Sequence, residues 1–255
     1  MSLKFSDERI TMIQMVRRFH NDGSIRRKQF DFEDTFKAIF PSPAIVPPLP
    51  IDPPPSAVRF LFNDPKKNLA VTGSGVQLTL NFLEGFPTGN TIKTIVTKYA
   101  KIMDDALDTL LDNQDKHHSG IIVFYTKKYE GADADVASGI ADMLLKPTIS
   151  NLCSLSINIG FIEEEVTHTI EVSGYKSFNV LVPLGAFGST QNVEVDADFD
   201  TPVESGLQIK IDINTKLQAN SNRKGAFTFL TPYLISTIKD KASRLLGDLR
   251  PTKGV

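Results

Sequence analysis

Residues 207–214 read LQIKIDIN, and this stretch decides the fold class. Leucine and isoleucine occupy every odd position, whereas glutamine, lysine, aspartate and asparagine occupy every even one. A period of two is typical of a β-strand with one dry face and one wet face. The stretch therefore predicts a strand in an antiparallel sheet that is covered on one side only.

The same alternation recurs along much of the chain. It predicts further strands over residues 58–62, 76–82, 153–159, 166–172 and 178–182. Residues 121–125, IIVFY, are apolar throughout, which favours a strand that is buried on both faces.

Apolar residues at helical spacing predict two long helices. The first covers about residues 90–112, with Asn90 as its cap. The second covers about residues 231–247, where Thr231 is expected to cap the helix and Pro232 to open its first turn. Shorter helices are predicted over residues 7–22 and 133–145. The fold class is therefore α+β, with an antiparallel one-sided sheet and the long helices packed on its apolar face.

Residues 41–55, PSPAIVPPLPIDPPP, hold eight of the fifteen prolines and mark the clearest boundary. Proline fixes φ and lacks a backbone donor, so this segment is expected to be an extended tether. The predicted organisation is an N-terminal segment (1–40), a tether (41–56) and an α+β domain (57–255). That domain is either one unit or two related lobes, each a strand meander followed by a helix, at 57–147 and 148–250. Similar pentapeptides, LAVTG at 69–73 and IEVSG at 170–174, are the sign of such a duplication.

Composition is that of a globular protein without a strong charge bias. The 255 residues are 41% hydrophobic and 23% charged, with a formal net charge of −2. Such a balance gives no overall attraction to nucleic acid or anionic lipid. The single cysteine, an acidic N-terminal segment and the absence of a run of about eighteen apolar residues predict a cytoplasmic protein with no membrane partner.

Several segments together resemble a known family. They are RFLF at 59–62, the strands within 69–82, the long helix, VFYTKKY at 123–129 and IKIDI at 209–213 before the closing helix. From about Ala57 to Leu246, this order is similar to a sporadically distributed family of uncharacterised bacterial proteins of about this length. The resemblance implies a bacterial cytosolic protein, and it brings no activity or functional residues with it.

The densest acidic segment is EVDADFD at residues 194–200. Its four carboxylates would line one edge of an extended chain, and hard cations such as Ca²⁺ bind such oxygens. An EF-hand loop that began at Asp196 would need glycine and glutamate where Thr201 and Leu207 stand. We therefore expect a solvated acidic loop without tight divalent-cation binding.

The histidines and the cysteine carry no recognisable constellation. The pair His117–His118 is expected in a polar loop without a third ligand at metal spacing. His168 lies in the apolar register of its strand, which predicts a partly buried, hydrogen-bonded histidine. Cys153 also lies in an apolar register and is expected to be inert. Glu163-Glu164-Glu165 is expected to be a solvated turn between two strands.

Phosphate-binding and nucleophile motifs are missing from the sequence. The glycines at 73–75 and 185–190 lack the lysine and the helix that a P-loop needs. Basic clusters lie at 17–18, 26–28, 66–67, 127–128 and 223–224, and are expected to be solvated separately.

The leading functional hypothesis is a non-catalytic binding or scaffold protein that acts through a protein partner or through self-association. We assign no catalytic, cofactor-binding or metal-binding residue from the sequence. One alternative is a metal-assisted or acid–base enzyme that uses residues 194–200. The other is a nucleic-acid-binding protein that uses the dispersed basic clusters.

Overall fold

Alternating segments of the chain form the strands of one large sheet. The computed structural model describes residues 9–87, 90–111, 117–128, 156–177, 180–181, 196–197, 204–216 and 223–242. The strands are β1 (Arg9–Phe19), β2 (Val58–Asp64), β3 (Lys67–Thr72), β4 (Gly75–Pro87), β5 (His117–Lys128), β6 (Ser156–Glu163), β7 (Val166–Ser177), β8 (Val180–Leu181), β9 (Asp196–Ala197) and β10 (Glu204–Asn214). The helices are α1 (Gln29–Phe36), α2 (Asn90–Leu110) and α3 (Ala226–Ser236). A 3₁₀ turn (Ile25–Lys28) precedes α1, and a π-helical segment (Thr237–Ala242) continues α3.

Eight strands form a single antiparallel sheet in the order β2-β3-β4-β1-β5-β10-β7-β6, while β8 pairs with β9 separately. The α+β class with an antiparallel sheet is therefore confirmed. The order has an internal symmetry about the β1–β5 pair. One half consists of β1 to β4, and the other consists of β5, β6, β7 and β10. In each half, the first strand in the sequence lies at the centre of the sheet and the last strand pairs with it. The two strands between them in sequence lie further out. The similar pentapeptides at 69–73 and 170–174 belong to the β3 and β7 regions, which occupy equivalent places in the two halves.

The first strand corrects two expectations. The helix predicted over residues 7–22 is wrong, because Arg9–Phe19 is a strand that pairs with both β4 and β5. The boundary at 41–56 therefore does not separate an N-terminal appendage from the sheet, since the segment before it supplies a central strand. Helix α1 adds to this attachment, because Phe32 packs edge-on against Phe60 of β2 with ring centroids 5.2 Å apart.

The proline-rich connector lies against the outer strand of the first half. Ile45 and Leu61 exchange backbone hydrogen bonds of 2.7 and 2.9 Å. The guanidinium of Arg59 donates to the carbonyl oxygens of Pro53 and Pro54 at 3.2 and 3.3 Å. The connector is thus docked onto β2, and its contacts cover part of a strand edge that would otherwise be open to pairing.

The hydrophobic core lies on one face of the sheet. Inward side chains of the strands join one cluster with the buried residues of α2, which include Ile92, Val96, Met103 and Leu107. Helix α3 contacts α2, β5 and β10. Each fully buried side chain of this kind contributes about 1.5–3 kcal/mol to folding. Among the described residues, no helix has the length and apolar character that crossing a bilayer requires.

The start of α3 differs from the expectation. The helix begins at Ala226 after Gly225, whose φ of 66° is left-handed, and Pro232 lies inside the helix rather than in its first turn. No side chain of its own segment caps it. Instead, the Asp104 carboxylate on α2 accepts hydrogen bonds from the backbone N–H groups of Phe227 and Thr228 at 3.0 and 2.7 Å.

Asp104 belongs to a buried ionic cluster that joins the sheet to both long helices. Arg17 of β1 points inward with 2% of its side chain exposed, and donates to Asp104 at 3.2 Å and to Asp108 at 2.6 Å. Its Nε also donates to the Ser119 hydroxyl of β5 at 3.2 Å. The guanidinium lies 5.2 Å from the ring centroid of Phe227. One side chain thereby links β1, β5, α2 and α3.

Candidate functional site

The face of the sheet opposite the core forms an open cleft. Cross-strand register places Gln14, Ile122, Asp212 and Thr169 side by side on β1, β5, β10 and β7. These side chains are half-buried rather than exposed, and with neighbours on β4 they line a cleft of about 760 Å³. This volume lies within the range of about 300–1,000 Å³ that is usual for small-molecule sites.

Two glycines shape the floor and rim of the cleft. Gly120 pairs with Asn214 in the middle of the face, where a Cβ atom would lie 3.1 Å from the Asn214 Cβ. Gly75 lies beside Arg18, and a Cβ atom there would come within 3.0 Å of the Arg18 Cδ. The missing side chains leave the floor open and let Arg18 lie across β4.

One end of the cleft is positively charged. Arg18 and His118 are direct cross-strand partners on β1 and β5, and Lys216 follows β10 on the same side. Burial lowers the pKa of His118, and the charges of Arg18, Lys216 and His117 lower it further, while Asp212 opposes the shift. Within the described part of the chain, neither Arg18 nor Lys216 forms an ion pair with a carboxylate.

Amide and hydroxyl side chains line the rest of the cleft. Asn214 Nδ2 donates to Asp212 Oδ1 at 3.1 Å, and Gln77 Nε2 donates to Thr79 Oγ1 at 3.3 Å. An amide group has two donor hydrogens and an acceptor oxygen, so each of these residues keeps capacity for a further hydrogen bond. The cleft can therefore offer both charge and directed hydrogen bonds to a ligand.

A second cavity lies between α2 and α3. Its volume is about 510 Å³, and Thr97, Ala100, Thr231 and Ile235 are among its lining residues. The walls are mainly apolar, with lysines at the rim. It lacks the converging polar groups that distinguish the sheet cleft.

The residues singled out from sequence have different outcomes. His168 is fully buried, and its Nδ1 lies 3.0 Å from the Thr237 hydroxyl, which confirms a hydrogen-bonded histidine. His117 and His118 lie in β5 rather than in a loop, and point to opposite faces. Glu164 and Glu165 form the exposed turn between β6 and β7, as expected, and both have positive φ.

Of the acidic segment 194–200 only Asp196–Ala197 is described, as β9. Cys153, residues 185–190 and the helix expected over 133–145 lie outside the described residues.

The basic clusters make separate local contacts among the described residues. Arg17 is buried in the ionic cluster, whereas Arg18 faces the cleft. The other contacts join Lys28 to the Leu110 carbonyl, Lys67 to Asp64, Lys128 to Glu204, and Arg223 to the Phe229 ring. The basic clusters therefore make contacts in different places, and among the described residues they do not form one shared basic surface. Nor do three histidine, cysteine, aspartate or glutamate residues converge as metal ligands within it.

Sequence reasoning missed the residues of the cleft. Arg18 was expected in a solvated basic pair, His118 in a polar loop and Asp212 on the wet face of its strand, and Lys216 was not singled out. The available signal was the period of two, which places Asp212 and Asn214 on the wet face of their strand. That signal identifies a face but not its curvature.

Comparison with protein-family models, with curated proteins and with solved structures found no match for the chain. The family resemblance therefore stays a prediction, and the functional argument depends on the geometry alone.

Proposed function

We propose that the protein is a non-catalytic binding protein whose ligand, a small polar molecule, binds in the cleft on the open face of the sheet. The observation that carries the proposal is the convergence of five adjacent strands on one cleft of about 760 Å³. Amide, hydroxyl and charged side chains line this cleft, and converging polar groups are what fix the orientation of a ligand in small-molecule sites. A cytoplasmic location is part of the same proposal, in keeping with a single cysteine.

The position of the cleft also supports binding. It lies on regular strands of the central sheet, and strands hold side chains more precisely than loops do. The helices stabilise the sheet from the other side, so the open face is free to vary in chemistry. A binding role needs only this fixed array of donors and acceptors.

The experiment is a screen of small polar fragments by ¹H–¹⁵N NMR on the full chain. We expect shift changes to cluster at residues such as Gln14, Ile122 and Thr169. A Thr169→Phe variant, which fills the cleft, should abolish them. The matched control is Ser173→Phe, on the same strand and the same face but outside the cleft lining.

Two results would contradict the proposal. One is that fragments bind at the cavity between the helices, with shift changes at Thr97 and Thr231 instead. The other is that Thr169→Phe and Ser173→Phe, both shown to be folded by their spectra, affect binding equally.

The edge of the sheet supports self-association as a second candidate. Strand β6 is the last in the sheet, and its outer edge has no strand partner among the described residues. Ile162 on this strand is 64% exposed. An open strand edge is a template for pairing with another chain. Light scattering should show a dimer for the wild type and a monomer for Ile162→Lys, and a wild-type monomer at all concentrations would exclude this contact.

A further inference from the structure

Among the described groups, the positive end of the cleft carries more positive than negative charge. Arg18 and Lys216 contribute two positive charges, and Asp212 contributes one negative charge. Lys210, the next outward residue of β10, is by contrast paired with Glu171 at 3.5 Å. Lys210 thus has a carboxylate partner, whereas neither Arg18 nor Lys216 forms an ion pair within the described part of the chain.

We propose that this end binds a doubly charged oxyanion, the phosphate group of a phosphate ester, between Arg18 and Lys216, with His118 as a third donor. This inference rests on the proposed function, since it names the chemistry of the ligand in the same cleft. Arginine and lysine both bind phosphate oxygens through charge-assisted hydrogen bonds. Arg18 and Lys216 are exposed and His118 is partly buried, so both cations are accessible to an anion that enters from solvent.

The charge balance distinguishes a dianion from a carboxylate through the protonation state of His118. With His118 neutral, Arg18, Lys216 and Asp212 leave a net charge of one, which a single carboxylate would balance. Protonated His118 raises the net charge to two, which matches a phosphate ester in its dianionic form. Binding of a dianion is therefore coupled to uptake of a proton by His118, and binding of a carboxylate is not.

The groups that face His118 determine the sign of this coupling. In the free protein, the imidazolium form of His118 is disfavoured by burial and by the charges of Arg18, Lys216 and His117. Only the charge of Asp212 favours it. A bound dianion adds negative charge beside the ring and so raises the pKa of His118. Since the bound state then holds more protons than the free state, affinity must increase as the pH falls below the ordinary histidine pKa of about 6.5, towards the lowered pKa of free His118.

Sulfate is the best first probe, because it remains a dianion across this pH range whereas phosphate changes its own charge. We expect calorimetry on the full chain to show tighter sulfate binding at pH 5.5 than at pH 7.5. Arg18→Gln and Lys216→Gln should each weaken binding about fivefold or more, which corresponds to about 1 kcal/mol. Lys210→Gln removes the same charge from the same face and should change affinity less than about twofold.

His118→Gln isolates the proton linkage. This variant keeps a side-chain donor but cannot titrate, so sulfate affinity should lose most of its pH dependence while remaining measurable. Inorganic phosphate and a phosphate monoester should compete with sulfate. If acetate binds as tightly as sulfate without pH dependence, the carboxylate alternative replaces the inference.

The remaining outcomes separate this inference from the proposed function. If no anion binds but neutral fragments still perturb Thr169, the phosphate assignment fails and the binding cleft stands. If neither binds, both fail. Tighter binding of a short single-stranded oligonucleotide than of the phosphate monoester would assign the site to nucleic-acid phosphates and overturn a small-molecule ligand. Equal losses in Lys210→Gln and Arg18→Gln would show nonspecific charge attraction and would also overturn the site.

Discussion

Replacement of Arg17 by methionine tests how the sheet and helices are held together. Arg17 is almost fully buried, and its guanidinium contacts Asp104, Asp108 and Ser119 at 2.6–3.2 Å. Methionine has a similar length but no charge, so Arg17→Met would leave two carboxylates without their cation. Asp104 is buried, and Asp108 is partly so.

The expected loss is about 3–5 kcal/mol, because removing one partner leaves a buried charge uncompensated. Asp104→Asn should cost less. Burial raises the pKa of Asp104, although the Phe227 and Thr228 N–H groups and Arg17 oppose this shift. Asparagine avoids that charge burial, still accepts one backbone hydrogen bond, and leaves Arg17 paired with Asp108. The double variant should cost less than the two single costs together, since the two residues interact directly.

Urea unfolding followed by circular dichroism measures these differences as shifts in midpoint at constant slope. Asp105→Asn is the matched control, because it lies next to Asp104 on α2 but pairs with Lys101 at the surface, where both side chains are more than half exposed. That control should cost less than about 0.5 kcal/mol. A loss below about 1 kcal/mol for Arg17→Met, or additive single costs, would refute the linking role of the cluster.

Three further predictions concern the sheet. The chain 56–255 lacks β1 and should show no cooperative thermal unfolding by circular dichroism, and a cooperative transition would restore the tether interpretation. Gly206→Ala should lower the free energy of unfolding, measured in urea, by about 1–3 kcal/mol, because its Cβ would clash with the Lys127 carbonyl oxygen. Gly160→Ala should not lower it, because the nearest atom to its Cβ would be 4.0 Å away. The pKa of His118 is lowered in the folded state, so the unfolded chain takes up a proton at this residue more readily. The free energy of unfolding should therefore fall as the pH drops below about 6.5, and His118→Gln should make this fall smaller.

The strands were predictable where burial is one-sided and pairing is regular. Residues 207–214 alternate without interruption, and all of them lie in β10. The alternation at 76–82 and 166–172 likewise identified β4 and β7. In these segments a single physical factor, the burial of one sheet face, determines the sequence pattern.

The first strand was missed because a bulge interrupts its alternation. The register shifts between Ile10 and Met12, so inward positions fall at residues 10, 13, 15, 17 and 19. The spacing of three from Ile10 to Ile13 imitates a helix, and the inward Arg17 breaks the apolar pattern. The remaining signal was the content of β-branched residues, which favours a strand.

The start of α3 could not be read from its own segment. Thr231 and Pro232 match a local capping pattern, but the helix starts five residues earlier. The carboxylate that satisfies its first N–H groups comes from Asp104, more than a hundred positions away in sequence. A cap supplied by another helix leaves no local signature.

The cleft itself was only half predictable. Its polar residues occupy wet-face positions that the period of two identifies, as for Asp212 and Asn214. Whether a wet face is flat or concave depends on sheet twist and on the pairing of β1 with β5, which neither segment encodes alone. The functional grouping of Arg18 with His118 follows from that long-range pairing.

The symmetry of the sheet gives a final prediction, on stoichiometry. The two halves share one topology, so a duplicated site would appear at both ends of the central β1–β5 pair. At one end, the cross-strand pair on the open face is Arg18 with His118. At the other end it is Met12 with Phe124, which lies about six residues, or roughly 20 Å, along the strands from the first pair. A charged pair and an apolar pair cannot bind the same anion, because only the first offers charge and donors. Calorimetry should therefore give one sulfate per chain, and Met12→Gln should not alter its affinity; two equivalent sulfates per chain would show that charge at the Arg18 end does not define the site.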